Sequence, residues 1–165
     1  MKNKLIILCG ISNSGKSTFT AKTVQHNPDN YISINRDKIR ELLFGYTEKT
    51  ISEYYHRNDM YKLEEKVTEL ENTLIHKYLR EGINVIVDAT HLKAKYLNRF
   101  IEYLVGKEII FFNVTLKEAL IRNSSRDRKV DEYIIINQYE NYINIREFLT
   151  SNKLKYEYLA QEINN

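Results

Sequence analysis

With a single cysteine, Cys9, the chain can form no internal disulfide, and the place of that residue inside an apolar run points to packing rather than reactivity. The one proline, Pro28, marks one break, after a helix expected over residues 16–25. No stretch approaches the about 20 apolar residues of a membrane span. The opening Met1-Lys2-Asn3-Lys4 leads into only five apolar residues, too few for a secretory signal, so no membrane partner and a cytoplasmic location are expected. No repeat, linker or low-complexity segment is visible, and 165 residues suit a single domain, 1–165. Charge of either sign is nearly balanced: 25 Lys and Arg against 22 Asp and Glu, a net charge of +3, tolerate a polyanionic partner without requiring one.

Glycine is scarce as well, yet two of the five glycines fall in one short stretch. The apolar run Leu5-Ile6-Ile7-Leu8-Cys9 leads into Gly10-Ile11-Ser12-Asn13-Ser14-Gly15-Lys16-Ser17, a strand followed by the pattern G-x-x-x-x-G-K-[ST]. Gly10 and Gly15 permit backbone conformations that turn successive N–H groups inward as an anion-binding nest. The helix beginning near Gly15 adds the positive end of its dipole, with Thr18 in its first turn. Lys16 supplies an ammonium between the terminal phosphates of a nucleotide. The Ser17 hydroxyl suits Mg²⁺, which prefers oxygen ligands.

Downstream, Tyr31–Ile34 reads as a second strand, followed by Asn35-Arg36-Asp37 and a short helix that stops at Gly45. Residues 46–52 read as loop. Met60, Leu63, Val67, Leu70, Leu74 and Tyr78 recur at helical spacing, so one long helix is expected over about 53–80. Ile83–Asp88 is apolar and β-branched, as in a strand buried on both faces. Helices are expected over Leu92–Val105, Lys117–Ser124 and 131–149, with a strand over Glu108–Thr115. The tail from Ser151 fits either a helix or an edge strand. Strands alternating with helices imply an α/β fold: three layers, a central parallel sheet of four to five strands and helices on both faces; the cluster of arginines over 122–128 is read as adding an Arg-containing lid. Ligands then bind at the carboxyl ends of the strands. The phosphate loop, Asp37 and Asp88 all fall on that edge.

Asp37 follows a strand next to the loop, where a carboxylate can take the proton of an attacking hydroxyl; the alternative is a helix N-cap. Arg40, one helical turn later, can hold a phosphate of the acceptor or position Asp37. Asp88 can take magnesium, anchor Arg40 or cap a turn. His91 is read as structural. Arg122, Arg126, Arg128 and Lys129 form a charged cluster suited to a closing lid, with Arg126 first and Arg122 next as phosphate ligands. Two basic groups, Arg36/Lys38/Arg40 and Lys93/Lys95/Arg99, would track a nucleic-acid backbone if they faced one groove.

Together, Gly10–Ser17, Ile34-Asn35-Arg36-Asp37 with Arg40, Asn84–Thr90 and Leu120–Arg126 resemble the 5′-kinase domain of the phage-type polynucleotide kinase-phosphatases. The resemblance spans about residues 4–145. It implies a transferase that moves the γ-phosphate of ATP, with Mg²⁺, to the 5′-hydroxyl end of DNA or RNA in nucleic-acid repair. It implies Asp37 as general base, Arg40 on acceptor phosphate, Lys16 and Ser17 on ATP and magnesium, and Arg122 and Arg126 on ATP phosphates. Gly10, Ser12, Asn13, Ser14, Gly15 and Thr18 complete the nucleotide site, and Asp88 matches the strand-end acid. No D-x-D-x-T phosphatase motif occurs, so a stand-alone kinase is expected; a homo-oligomer is left open. One rival is a kinase for a nucleoside, nucleotide or other small hydroxyl compound. The other is an ATP-binding module without catalysis. A GTPase is disfavoured, since N-K-x-D is missing and Asp88-Ala89-Thr90-His91 departs from D-x-x-G.

Overall fold

The computed structural model describes residues 3–47, 49–100, 102–103, 105–127, 129–152 and 158–164. Five strands form one parallel sheet in the order β2-β3-β1-β4-β5: β1 Lys4–Cys9, β2 Tyr31–Asn35, β3 Asn84–Asp88, β4 Gly106–Asn113 and β5 Tyr158–Asn164. β1 is central, with Leu5 opposite Val85 of β3 and Ile7 opposite Ile109 of β4. Such strands have no water-facing side. Along β1, residues Leu5 to Cys9 are all buried, the reason the run is apolar without alternation.

Successive side chains of a strand point to opposite faces, which divides the core in two. Leu5, Ile7, Val85, Val87 and Ile109 pack on one face beneath α4 (Met60–Arg80), α5 (Ala94–Asn98), α6 (Leu116–Ser124) and α7 (Glu132–Ser151). Ile6, Leu8, Ile86, Ile110 and Phe112 pack on the other face, against Phe19 and Val24 of α1 (Lys16–His26). Leaving β1 through α1 the chain turns toward β2; after β3 it crosses to β4 on the opposite side. The strand order therefore reverses at the carboxyl end of β1, where a crevice opens.

Two helices differ from the sequence expectation. The pattern over 53–80 is two helices, α3 (Ile51–Tyr55) and α4. Between them Asn58 and Asp59 are poor helix formers, and Arg57 closes on Asp59 with two bonds of 2.7 Å. The helix expected over 92–105 is only α5, and β4 already begins at Gly106, before the strand expected from Glu108; Ile101 and Leu104 lie outside the described residues. Phe100 and Tyr103 are drawn into the core at 1% and 7% exposure, and that burial overrides helical continuity. The tail resolves as the edge strand β5, paired in parallel with β4 from Lys107–Tyr158 to Asn113–Asn164, while 153–157 and 165 lie outside the described residues. Among the described residues no helix is long and apolar enough to cross a membrane.

Candidate active site

The loop after β1 is shaped by close contact and by two left-handed residues. The Gly10 N–H donates to the Thr90 carbonyl at 3.2 Å, tying the loop to the segment after β3. A Cβ on Gly10 would lie 2.7 Å from Ser14 Oγ and 3.0 Å from Phe112 Cβ. Gly10→Ala is therefore expected to lower stability by about 1–3 kcal/mol, read as a fall in Tm, because neither neighbour has room to retreat. An unchanged Tm would show that the loop relaxes freely. Asn13 and Gly15 adopt φ of 65° and 95°, and Gly15 precedes α1 without any side-chain cap. The first-turn N–H groups of α1 thus point at the crevice.

Lys16 is buried, and its Nζ donates to the Gly10 carbonyl at 3.0 Å, the Ile11 carbonyl at 2.7 Å and Ser14 Oγ at 3.3 Å. Burial lowers its pKa to about 8, against the pull of Asp88. Cys9, expected as a packing residue, is fully buried and its thiol is pushed up to about 12 by that burial.

Asp37 stands in the first turn of α2 (Arg36–Phe44) but is not its cap. Asn35 Oδ1 is the cap, accepting from the N–H groups of Asp37 at 2.8 Å and Lys38 at 3.2 Å. The Asp37 carboxylate remains 46% exposed, with Oδ1 accepting from Arg40 Nη1 at 2.7 Å. Arg40 itself is buried at 6% exposure. Its Nε and Nη2 donate to Glu64 at 2.8 and 3.1 Å, and its guanidinium lies 5.5 Å from the rings of both Tyr54 and Tyr55. Arg40 therefore braces Asp37 from behind, and of its two sequence readings the positioning one fits the geometry. Its hydrogen-bond partners are Asp37 and Glu64 rather than Asp88.

Asp88 ends β3 opposite Asn35, whose Nδ2 reaches its Oδ2 at 3.5 Å. Asp37, Asp88, Lys16 and Ser17 all line one cavity of about 440 Å³, together with Ser12, Asn13 and Arg126. Gly10, Ser14, Gly15 and Thr18 shape the loop and its helix instead. Among the described residues no cluster of three or more His, Cys, Asp or Glu could hold a metal. One hydroxyl and one carboxylate fit Mg²⁺, which keeps several waters and takes other oxygens from phosphate, and would not make a zinc site.

The lid arginines meet the loop at Asn13. Arg126 Nη1 donates to Asn13 Oδ1 at 2.6 Å, and Arg122 Nη1 to the Asn13 carbonyl at 3.3 Å. Buried Asn123 closes the segment between α6 and α7: its Nδ2 donates to the Val130 carbonyl at 2.7 Å and its Oδ1 accepts from Val130 N at 2.9 Å. Arg128 lies outside the described residues; Lys129 is exposed.

One arginine of each basic group is taken up by an ion pair rather than left for a nucleic-acid backbone. Arg36 and Arg99 turn inward onto the fully buried Glu71 at 2.5 and 2.6 Å, and Arg36 also bonds Glu64 at 2.7 Å. His91 is structural, as expected: at φ 48° and 3% exposure its Nδ1 pairs with the Leu8 carbonyl at 2.8 Å, and burial lowers its pKa to about 4. Glu64 and Asn123 are the residues that sequence reasoning missed. Glu64 is one of several acids on α4, and nothing local marks the one that turns inward.

Comparison with known proteins gives concordant results. The model of the AAA domain family matches residues 5–142. A putative bifunctional polynucleotide kinase/RNA ligase of Autographa californica nuclear polyhedrosis virus is 30% identical over 154 residues, covering 88% of this chain and 22% of its own. The L-seryl-tRNA(Sec) kinase of Methanococcus maripaludis is 30% identical over 146 residues, covering 84% of this chain and 52% of its own. The chain thus spans about a fifth and about half of these curated relatives. A chain of the Pnkp1/Rnl/Hen1 RNA repair complex superposes with a TM-score of 0.71 at 24% identity, over 88% of this chain and 46% of that one, a likeness of fold.

Proposed function

Because the chain belongs to the AAA domain family, with the parallel sheet and phosphate loop of P-loop kinases, we propose that it phosphorylates the 5′-hydroxyl end of DNA or RNA with ATP. The observation that carries this reading is the Asp37 carboxylate, half-exposed on the cavity that Lys16 and Ser17 also line. The N–H groups of the loop and α1 hold the phosphates of ATP, and Lys16 leaves the loop carbonyls for the terminal ones. Asp37 accepts the proton of the acceptor hydroxyl as its oxygen bonds to the γ-phosphorus and the bond to the bridging oxygen breaks, releasing ADP. Arg126 and Arg122 exchange Asn13 for the oxygens on which negative charge accumulates. Ser17 and Asp88 would hold Mg²⁺, which would supply positive charge against the negative charge of the phosphates when bound.

The polynucleotide acceptor and a role in nucleic-acid repair draw support from the viral kinase/ligase relative. A kinase for another hydroxyl is the second reading, favoured by the equal identity to the seryl-tRNA kinase. Transfer of labelled phosphate from ATP separates them. Label on 5′-hydroxyl oligonucleotides is expected. Label only on seryl-tRNA, nucleosides or sugars would replace the polynucleotide reading, and no label on any acceptor would favour a binding module.

A further inference from the structure

Beyond Asp37, the cavity has a wall that the phosphate chemistry does not use: Glu41, Tyr46, Thr47 and Ile51. Its character differs from that of the loop side. Arg40 is buried on Glu64 and Asp37, and the Lys38 ammonium pairs with Glu41 at 2.9 Å. An aromatic ring and a hydroxyl are offered here, rather than an array of cations for phosphates. Tyr46 is held in place. Its ring makes a T-shaped contact with the buried Tyr54 at 5.2 Å, and its hydroxyl accepts from Arg57 Nη1 at 3.2 Å. The backbone beside it is set too: Gly45 at φ 77° turns the chain at the end of α2, and Thr47 N–H donates to Thr50 Oγ1 at 3.0 Å. A ring anchored in this way loses little freedom when a flat ligand settles on it.

We propose that Tyr46 is the stacking platform for the nucleobase of the acceptor's 5′-terminal nucleotide. The base, more than the backbone phosphates, then seats the terminal hydroxyl in front of Asp37. The inference rests on the polynucleotide reading above. Stacking uses the face that every base has, so all four terminal bases are accepted.

The test compares a 5′-hydroxyl oligonucleotide with the same strand carrying an abasic terminal nucleotide. For the unaltered protein, the abasic end is expected to raise KM about 10-fold, in line with base–aromatic stacking. Tyr46→Ala raises KM for the complete end by a similar factor, with little change in kcat, and no longer distinguishes the two ends. Tyr46→Phe keeps the ring and restores the discrimination. The proposal is overturned if Tyr46→Ala still prefers the complete end by the original factor. It is equally overturned if the unaltered protein treats both ends alike, a comparison that needs no variant to fold. Phosphorylation of neither strand by the unaltered protein removes the polynucleotide reading and the platform with it.

Discussion

Asp37→Asn is expected to lower phosphoryl transfer by about 10²–10⁴-fold, the usual contribution of a general base, and to leave ATP binding unchanged. The amide has nearly the same shape as the carboxylate. Its oxygen can still accept from Arg40 Nη1, which sits 2.7 Å from Oδ1. The start of α2 does not depend on the Asp37 side chain, because Asn35 caps it. What is removed is the ability to take a proton from the acceptor. Steady-state transfer and equilibrium binding of a non-hydrolysable ATP analogue separate the two effects. Wild-type turnover in the variant would remove Asp37 from the mechanism. Loss of nucleotide binding as well would make it a structural residue.

Glu64→Gln should be the second most damaging change, although it acts through other residues. Glu64 accepts from Arg36, from Arg40 twice, and from the Tyr54 hydroxyl at 2.6 Å. The neutral amide leaves two inward-turned guanidinium groups short of charge. That costs about 2–4 kcal/mol, or about 5–10 °C in Tm for a chain of this size. Asp37, braced by Arg40, loses its aim, and turnover falls by about 10–100-fold.

The loss should depend on pH in a defined direction. Burial alone would raise the Glu64 carboxyl, but hydrogen bonds from Arg40, Tyr54 and Arg36 outweigh it and hold it at about 2. The folded value lies below the ordinary 4.5, so the carboxylate's contribution is complete above about 4.5 and disappears as pH falls through about 2. The Tm difference between the two proteins should therefore shrink below pH 4.5 and vanish near 2. A difference that stays constant over that range would mean the charge of Glu64 is not what holds the two arginines.

The phosphate-loop half of the cavity was legible because it is local. Gly10, Gly15, Lys16 and Ser17 lie within one turn of chain, and the physics of a phosphate nest depends on that spacing alone. Asp37 was legible for a related reason: a strand adjacent to the loop delivers whatever follows it to the same edge. Its bracing was not, since Arg40 has a carboxylate three residues away and another 24 residues away, and sequence cannot say which it uses. The pairing of the basic groups was not legible for the same reason. Arg36 and Arg99 read as surface charge until Glu71, buried at 0% exposure, is seen between them.

By itself the sequence determined the alternation of strand and helix, the phosphate loop and the edge on which it opens. These follow from periodicity, β-branching and glycine stereochemistry, each a property of neighbours along the chain. Only the tertiary structure decided that α3 and α4 are separate helices, that the tail joins the sheet beside β4, and that Asn13 meets the lid arginines. It also decided which charges face inward. Burial and ion pairing bring together residues tens of positions apart, and their energies depend on distances that no local pattern carries.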